Sequence, residues 1–396
     1  MKPGKEMTSR ERVIAVTQGK SVDRIPVFYW LNPHGGIKMM SNVRKARRFS
    51  TQLKGQAQWR LFKKGGGLLI PESVGRGLPL LIEGTLNREY VRDLGSDTTL
   101  VETWYKPLEG KTKYKIKKND VMVENTAFGD NCAMGSGIYM DVTDHPIKTT
   151  EDLVNFRFPD YRDPSIYAPL TAARRRDPEA FLMGTVFGTQ DYPAASLALM
   201  NEWMMWFYDC PDKVADFQRR MADWSIEVAR RCIKAGADAI FIYDDYGFDN
   251  QTFLPPDLWK EFSYSQLKRI IDAVHEEGAL AVLHSCGYQM PMLGDYVEAE
   301  LDMLQAFQPK AGNDFEDAYR KFGKNLTFIT GIDVQQGESM SPEELKEDIL
   351  RYYRIGGEKG HHILGMTHMM QHSMPEDNMR ILLKTVEEIQ AGEYKI

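Results

Sequence analysis

The sequence predicts an α/β protein built as a (β/α)8 TIM barrel, with an N-terminal helical extension and a β-hairpin insertion. Two observations carry this prediction. From about residue 180 onward, short apolar runs alternate with longer amphipathic segments, which is the pattern of βαβ units in a parallel sheet. The apolar runs contain little polar alternation, as expected for strands that are buried on both faces. Residues 1–396 are therefore expected to form one barrel domain.

The N-terminal region begins with a predicted helix and continues into the first strand. Thr8-Ser9-Arg10-Glu11 is a capping-box pattern that precedes the apolar run Val13-Ile14-Ala15-Val16. The apolar run Ile25–Tyr29 is predicted to form the first strand. Its Pro26 is compatible with this prediction, because proline is tolerated near the beginning of a strand. Residues 100–127 include an alternating segment around Lys118-Asn119-Asp120, which suits a turn and indicates an antiparallel hairpin.

The remaining elements complete a count of about eight barrel strands. Long amphipathic helices are predicted over residues 212–234 and 257–277. A doubly wound open sheet is the alternative architecture, but no Gly-x-Gly-x-x-Gly turn follows any strand. The other predicted strands are Thr98–Glu102, Phe181–Val186, Ala237–Tyr243, Ala279–Leu283, Met303–Phe307, Leu326–Thr330 and His362–Gly365.

Composition and charge exclude several classes of function. The chain has 396 residues, 42% of them hydrophobic, which is ample for a large core. The net charge of −6 argues against wholesale nucleic-acid binding. No run reaches the length of a membrane span, and the N-terminus lacks the apolar stretch of a secretory signal. Four scattered cysteines argue against a disulfide framework, so we expect a cytoplasmic protein.

The most informative segment is Leu280–Gly287, which has the pattern of a short strand that stops at Gly287. His284 and Cys286 are two residues apart, so they point to the same face at the end of this strand. In a (β/α)8 barrel, the chemistry sits where the strands end. Imidazole and thiol are both zinc ligands, although a buried histidine beside a buried cysteine gives the same pattern.

A zinc site needs a third protein ligand, and His368 is the leading candidate. It follows the last predicted strand, so we expect it at the same end of the barrel as the His-x-Cys pair. His372, four residues further on, is the backup if a helical turn begins there. His361 and His362 precede the last strand or begin it, and we expect them at the opposite end.

Two acidic residues, Asp244 and Asp245, end the predicted strand that precedes the His-x-Cys strand. A carboxylate in this place can complete a zinc site or fix the tautomer of a metal-bound histidine. Because adjacent residues of a strand point to opposite faces, only one of the two can face the barrel. The sequence does not settle which one, and helix capping is an equally good interpretation of the pair.

The chain resembles the uroporphyrinogen decarboxylase superfamily over nearly its full length. This resemblance implies a (β/α)8 fold, in agreement with the pattern of apolar runs. The matching segments are Thr8–Val13, Asp23–Val27, Ala235–Asp238, Asp244–Gly247, His284–Gly287, Gly331–Asp333, Gly356-Gly357, Thr367-His368 and Pro375–Asn378.

Within this superfamily, the resemblance favours the corrinoid-dependent methyltransferases. The decarboxylases carry an arginine-rich motif after the first strand, whereas this chain has Trp30-Leu31-Asn32-Pro33-His34-Gly35-Gly36 there. The methyltransferases hold zinc with a His-x-Cys pair and a later cysteine. His284 and Cys286 match the pair, and His368 stands in place of the cysteine. Two imidazoles and one thiolate leave more positive charge on zinc than one imidazole and two thiolates do. This difference favours an oxygen leaving group.

The predicted function is zinc-dependent transfer of a methyl group from a methoxylated aromatic compound to the cobalt of a separate corrinoid (cobalamin) protein, an O-demethylation. Asp244 and Asp245 are the candidate catalytic residues. Methyl transfer from a methyl-corrinoid protein to a thiol is one alternative, and a metal-free decarboxylase-like or binding barrel is another. Neither nucleic acid nor membrane is an expected partner, and the oligomeric state stays open, a homodimer included. The residues expected to bind the substrate are Trp30, Asn32, Phe187, Tyr192 and Tyr246.

Overall fold

A parallel sheet of eight strands forms the centre of the protein. The computed structural model describes residues 6–30, 91–92, 94–117, 120–134, 141–370 and 373–394. The described strands are, in chain order, β1 (Val27–Phe28), β2 (Thr98–Val101), β3 (Lys113–Lys117), β4 (Asp120–Glu124), β5 (Asn131–Met134), β6 (Asp141–Asp144), β7 (Phe181–Phe187), β8 (Ala239–Tyr243), β9 (Gly247–Phe248), β10 (Gln251–Thr252), β11 (Leu280–His284), β12 (Met303–Gln305), β13 (Thr327–Ile332) and β14 (His362–Met366).

The central sheet closes almost completely into a barrel. Its strand order is β1-β14-β13-β12-β11-β8-β7-β2, and all of its neighbours are parallel. The two terminal strands meet through Asp97, whose backbone N–H donates to the carbonyl oxygen of Val27 at 2.8 Å. The backbone N–H of Tyr29 donates to Ser96 Oγ at 3.1 Å on the same seam. The predicted (β/α)8 barrel is thereby confirmed.

Helices surround this barrel and connect its strands. The described helices are α1 (Ser9–Thr17), α2 (Thr150–Asn155), α3 (Ala168–Arg176), α4 (Met200–Asp209), α5 (Pro211–Lys234), α6 (Pro256–Trp259), α7 (Ser265–Glu276), α8 (Leu293–Glu298), α9 (Phe315–Phe322), α10 (Pro342–Gly356) and α11 (Glu376–Gln390). No helix in this part of the chain is long and apolar enough to span a bilayer.

The predicted helices differ from the observed ones in one place. The long helix expected over residues 212–234 is present as α5, with Pro211 at its first position, where the missing N–H costs nothing. The helix expected over residues 257–277 instead begins as α6 and passes through a π-helical turn at Lys260–Tyr264 before α7. The π turn adds one residue to the helix, and the spacing of apolar residues in the sequence does not predict this local change.

Helix α1 closes the N-terminal end of the barrel. Its capping box is present, since Thr8 Oγ1 accepts from the N–H of Glu11 and the Glu11 carboxylate accepts from the N–H of Thr8. Val13 and Val16 pack into the apolar cluster that fills the barrel interior. Burying each such side chain stabilises the fold by about 1.5–3 kcal/mol. The carboxyl ends of the strands lie at the opposite end of the barrel.

The insertion after β2 is larger than the predicted hairpin. Strands β3 and β4 form the expected antiparallel hairpin, with Lys117 opposite Asp120. Two further antiparallel strands, β5 and β6, extend it to a four-stranded sheet. These two strands were not predicted, because Asn131–Met134 and Asp141–Asp144 are short and only weakly alternating.

Candidate metal centre

Three potential metal ligands converge at the carboxyl ends of the barrel strands. His284 is the last residue of β11, Cys286 lies two residues beyond it, and His368 lies two residues beyond β14. One ligand atom from each residue lies within 4.8 Å of the others, and the distance from Cys286 Sγ to His284 Nε2 is 3.5 Å. The three residues are 8%, 5% and 4% exposed in the order Cys286, His284, His368. The residues that the sequence analysis selected as metal ligands are thus brought together.

A glycine allows the chain to turn immediately after Cys286. Gly287 has a φ of +79°, a conformation that is costly for residues with a Cβ. An added Cβ at this position would collide with the backbone of Gly247, in the small hairpin β9–β10. The close approach of these two glycines packs the hairpin against the turn and fixes the direction in which the Cys286 side chain points.

Trp30 joins the first strand to both imidazoles. Its ring stacks on His368 with a centroid distance of 5.3 Å and meets His284 edge-on at 5.1 Å. The backbone of Trp30 is fixed to the last strand, because its N–H donates to Met366 Sδ and its carbonyl accepts from the N–H of Met370. This predicted substrate-binding residue therefore lies against the candidate ligands and is largely buried.

The charges of the three groups suit a divalent metal. Burial, with a smaller contribution from His284, lowers the pKa of His368 to about 3, so its imidazole is neutral and able to coordinate at neutral pH. Burial and the carboxylates of Asp245 and Asp191 raise the pKa of the Cys286 thiol. Two imidazoles and one thiol fit tetrahedral zinc with one position left for a substrate. A metal binding there would displace the thiol proton.

Gln305 contacts this cluster, although the sequence analysis did not select it. It is the last residue of β12, is fully buried, and its Oε1 accepts from His284 Nδ1. The pairing of β11 with β12 places Gln305 directly beside His284. A glutamine at the end of an otherwise apolar strand was the available signal, but the contact depends on the register between two strands.

The two adjacent aspartates face different surroundings. Asp244 is buried, and its carboxylate accepts from the N–H groups of Thr189, Gln190 and Asp191 and from the hydroxyl of Tyr246. Burial raises the pKa of Asp244 to about 6 despite these four donors. Both of its oxygens are therefore engaged in holding the loop after β7.

Asp245 points toward the metal candidates instead. Its Oδ1 accepts from the backbone N–H of Cys286 at 2.6 Å and lies 3.7 Å from His284 Nε2. Asp191 follows β7 and was not selected from the sequence. It lies close enough to both aspartates for their charges to affect its pKa. Burial, Asp245 and Asp244 together raise the pKa of Asp191 well above its usual range. Burial and the two neighbouring aspartates thus favour the protonated form of the Asp191 carboxyl.

Three aromatic rings pack together beside the carboxyl end of β7, and two of them, Phe187 and Tyr192, are partly exposed. Phe187 and Tyr192 stack with a centroid distance of 4.1 Å, and Phe128 from the insertion meets Tyr192 at 4.8 Å. Tyr246, also selected as a substrate residue, is buried beneath the rim with its ring against Trp259. The selected Asn32 and the backup ligand His372 lie outside the described residues.

Fold and site together define a (β/α)8-barrel protein with a candidate metal centre at the carboxyl ends of its strands. The family model for uroporphyrinogen decarboxylase (URO-D) matches residues 116–389, which are 274 of the 396 residues. The chain belongs to the uroporphyrinogen decarboxylase family.

Individual relatives are distant. A uroporphyrinogen decarboxylase from Coxiella burnetii is 24% identical over 191 residues, which cover 46% of this chain and 48% of the relative. The chain therefore spans about half the length of the curated relatives that it matches. Among solved structures, a methyltransferase from Methanosarcina mazei aligns with a TM-score of 0.63 at 19% identity, covering 97% of this chain and 99% of the other. This similarity supports the fold.

Proposed function

We propose that this protein is a zinc-dependent methyltransferase that moves a methyl group from a methoxylated aromatic compound to the cobalt of a separate corrinoid protein. The observation that carries the proposal is the convergence of His284, Cys286 and His368 within 4.8 Å at the carboxyl ends of the barrel strands. Family membership and the structural similarity to a methyltransferase support a methyl-transfer reaction on this fold. They do not specify the substrate, which we infer from the chemistry of the site.

The donor set favours zinc as the metal. One thiolate and two neutral imidazoles are ligands that zinc prefers, and hard cations such as Mg²⁺ prefer oxygen ligands. When bound, zinc would serve as a Lewis acid that stabilises negative charge on a leaving oxygen. A single thiolate donates less charge to the metal than two would, so this donor set suits an ether oxygen better than a Cys2His set does.

The residues around the cluster suit an aromatic ether. The stacked pair of Phe187 and Tyr192 offers a flat, partly exposed apolar surface for a ring at a low entropic cost. Asp191, whose pKa is raised by burial and by the neighbouring Asp245 and Asp244, would protonate the phenolate oxygen as it leaves. Asp245 would orient the ligands through the backbone N–H of Cys286. Asp244 would act indirectly, by holding the loop that carries Asp191.

The test is a paired activity assay with zinc-loaded protein and a reduced corrinoid protein as the methyl acceptor. We expect methoxybenzoates to be converted to the corresponding phenols, with methylation of the corrinoid visible in its absorption spectrum. The competing assay offers a methylated corrinoid protein and a small thiol. Activity with thiols alone would contradict the proposed substrate, and preparations that hold no zinc would contradict the metal.

A matched pair of cysteine variants separates the metal site from general effects. Cys286→Ser removes the proposed ligand, so we expect loss of both zinc and demethylation. Cys232→Ser alters a cysteine that is also buried but lies on α5, away from the rim. This control should retain zinc and activity; equal loss in both variants would point to misfolding rather than to a metal ligand.

A further inference from the structure

Gln305 forms a bridge between the strands that carry the candidate ligands. It is completely buried and has hydrogen-bonding partners on both sides of its amide. On one side, Oε1 accepts from His284 Nδ1 at the end of β11. On the other side, Nε2 donates to the carbonyl oxygen of Met366 at the end of β14, at 2.8 Å. The two partners belong to strands that are not neighbours in the barrel, so the amide spans its interior.

The carbonyl of Met366 determines which way this amide faces. A backbone carbonyl only accepts hydrogen bonds, so the amide nitrogen of Gln305 must point to it and the amide oxygen must point to His284. An amide oxygen also only accepts, so Nδ1 of His284 must carry the proton. A neutral imidazole with its proton on Nδ1 presents a lone pair at Nε2, and this atom lies 3.5 Å from Cys286 Sγ.

The same bridge reaches the other imidazole through the backbone. Met366 lies two residues before His368, and its Sδ accepts from the N–H of Trp30, whose ring contacts both imidazoles. Ala306, which follows Gln305, is held at a φ of +76°. A non-glycine residue in this region is strained and persists only where the surroundings enforce it. The position of Gln305 is therefore strongly constrained.

We propose that Gln305 is the positioning residue of the metal centre: it fixes His284 in the Nδ1–H tautomer and holds the two ligand-bearing strands at a set distance. The proposal rests on the metal-dependent function proposed above. A partner of this kind usually is a carboxylate or a backbone carbonyl. A carboxylate would push more electron density through the imidazole onto the metal, whereas an amide leaves the metal more electrophilic. A neutral partner thus agrees with activation of an ether oxygen.

The first test compares two buried glutamines. Gln305→Leu should weaken zinc binding by about 10- to 100-fold, measured by competition with a chromophoric chelator, which is the range for loss of a ligand's outer partner. The control is Gln218→Leu on α5, which removes an equally buried amide that donates to the carbonyl of Thr189. It should lower stability without changing zinc affinity. Affinity of Gln305→Leu within about twofold of the wild type would overturn the proposal.

The second test needs no folded variant of Gln305. Histidine ¹⁵N chemical shifts of the metal-free wild-type protein report which ring nitrogen carries the proton, and the His284 signals are those lost in His284→Ala. We expect the Nδ1–H tautomer for His284, and an Nε2–H tautomer would overturn the assignment. If the wild type has no affinity for zinc, the proposed function fails, and the tautomer still decides whether Gln305 orients this ring.

Discussion

The two ends of the barrel both bury charged or ionisable side chains, but they do so in different ways. At the N-terminal end, the guanidinium of Arg12 is 1% exposed and donates to Asp23 and Asp97 at 2.6 Å each and to the carbonyl of Met7. Asp97 also accepts from Arg24 and from the N–H of Val27. In this ion cluster, opposite charges neutralise each other.

At the C-terminal end, the buried groups point toward one another without such neutralisation. Cys286, His284 and His368 offer sulfur and nitrogen ligand atoms around one point, and the acidic groups beside them are Asp245 and Asp191. Buried polar residues in this fold thus form two kinds of cluster. A cluster closed by opposite charges holds α1 to the barrel, whereas a cluster of ligand atoms next to acidic groups is suited to a cation.

The largest effect on stability is expected at the N-terminal end. Asp97→Ala should destabilise the protein by about 3–5 kcal/mol, because it leaves a buried guanidinium short of a partner. Urea unfolding of the metal-free protein measures this change. The folded fraction of the variant should still bind zinc with wild-type affinity. A loss of less than about 1 kcal/mol in unfolding free energy would show that Arg12 becomes solvated in the variant. The ion cluster would then not be what holds α1 to the barrel.

Within the rim, the two adjacent aspartates should respond differently to the same change. Asp244→Asn places an amide NH2 against donors of the loop after β7, so we expect a loss of about 1–3 kcal/mol in unfolding free energy. Asp245→Asn should change stability by less than about 1 kcal/mol. It should instead speed alkylation of Cys286 in the metal-free protein, since removing the negative charge lowers the pKa of that thiol.

Equal destabilisation by the two substitutions, with no change in the reactivity of Cys286, would contradict the roles assigned to Asp244 and Asp245. Alkylation is followed by mass spectrometry of the peptide that contains Cys286, so that Cys132, Cys210 and Cys232 do not contribute to the signal.

The pH dependence of the two ends should also differ. Zinc affinity should rise by about tenfold per pH unit near neutrality. The raised pKa of Cys286 means that one proton leaves the thiol on binding, whereas His368, with a pKa of about 3, is already neutral.

At the N-terminal end, burial acts to raise the pKa of Asp23, but hydrogen bonds from Arg12 and the backbone lower this pKa to about 2. The stabilisation that this carboxylate provides is present above its unfolded pKa near 4 and is lost only as the pH falls toward 2. Titrations of zinc affinity and of unfolding free energy between pH 5 and 8 test the contrast, and a flat zinc profile would argue against thiolate ligation.

Much of this arrangement follows from the sequence. The period-2 rule placed His284 and Cys286 on one face, and the end of the last strand supplied His368; the predicted barrel strands agree with the observed ones to within a few residues. These predictions succeed because strand ends share one rim in a parallel barrel. The role of Gln305 could not be predicted, because it depends on the register of β11 with β12 and on a carbonyl of β14.

The orientation of Asp244 and Asp245 was also beyond the sequence. Alternation says that they face opposite ways, but it does not say which one faces the cluster. The choice is made by the loop after β7, whose three N–H groups surround Asp244. Contacts between segments that are distant in the chain decide both cases, and single-sequence periodicity carries no information about them.

The most direct test of the metal centre is X-ray absorption at the zinc edge of the purified protein. We expect one zinc per chain with one sulfur ligand at about 2.3 Å, two imidazole nitrogens at about 2.0–2.1 Å, and a nitrogen or oxygen atom in the fourth position. His368→Ala should remove one of the two imidazole contributions and leave the sulfur in place. A protein without zinc, or a zinc ion with only oxygen and nitrogen ligands, would contradict the assignment of His284, Cys286 and His368 as its ligands.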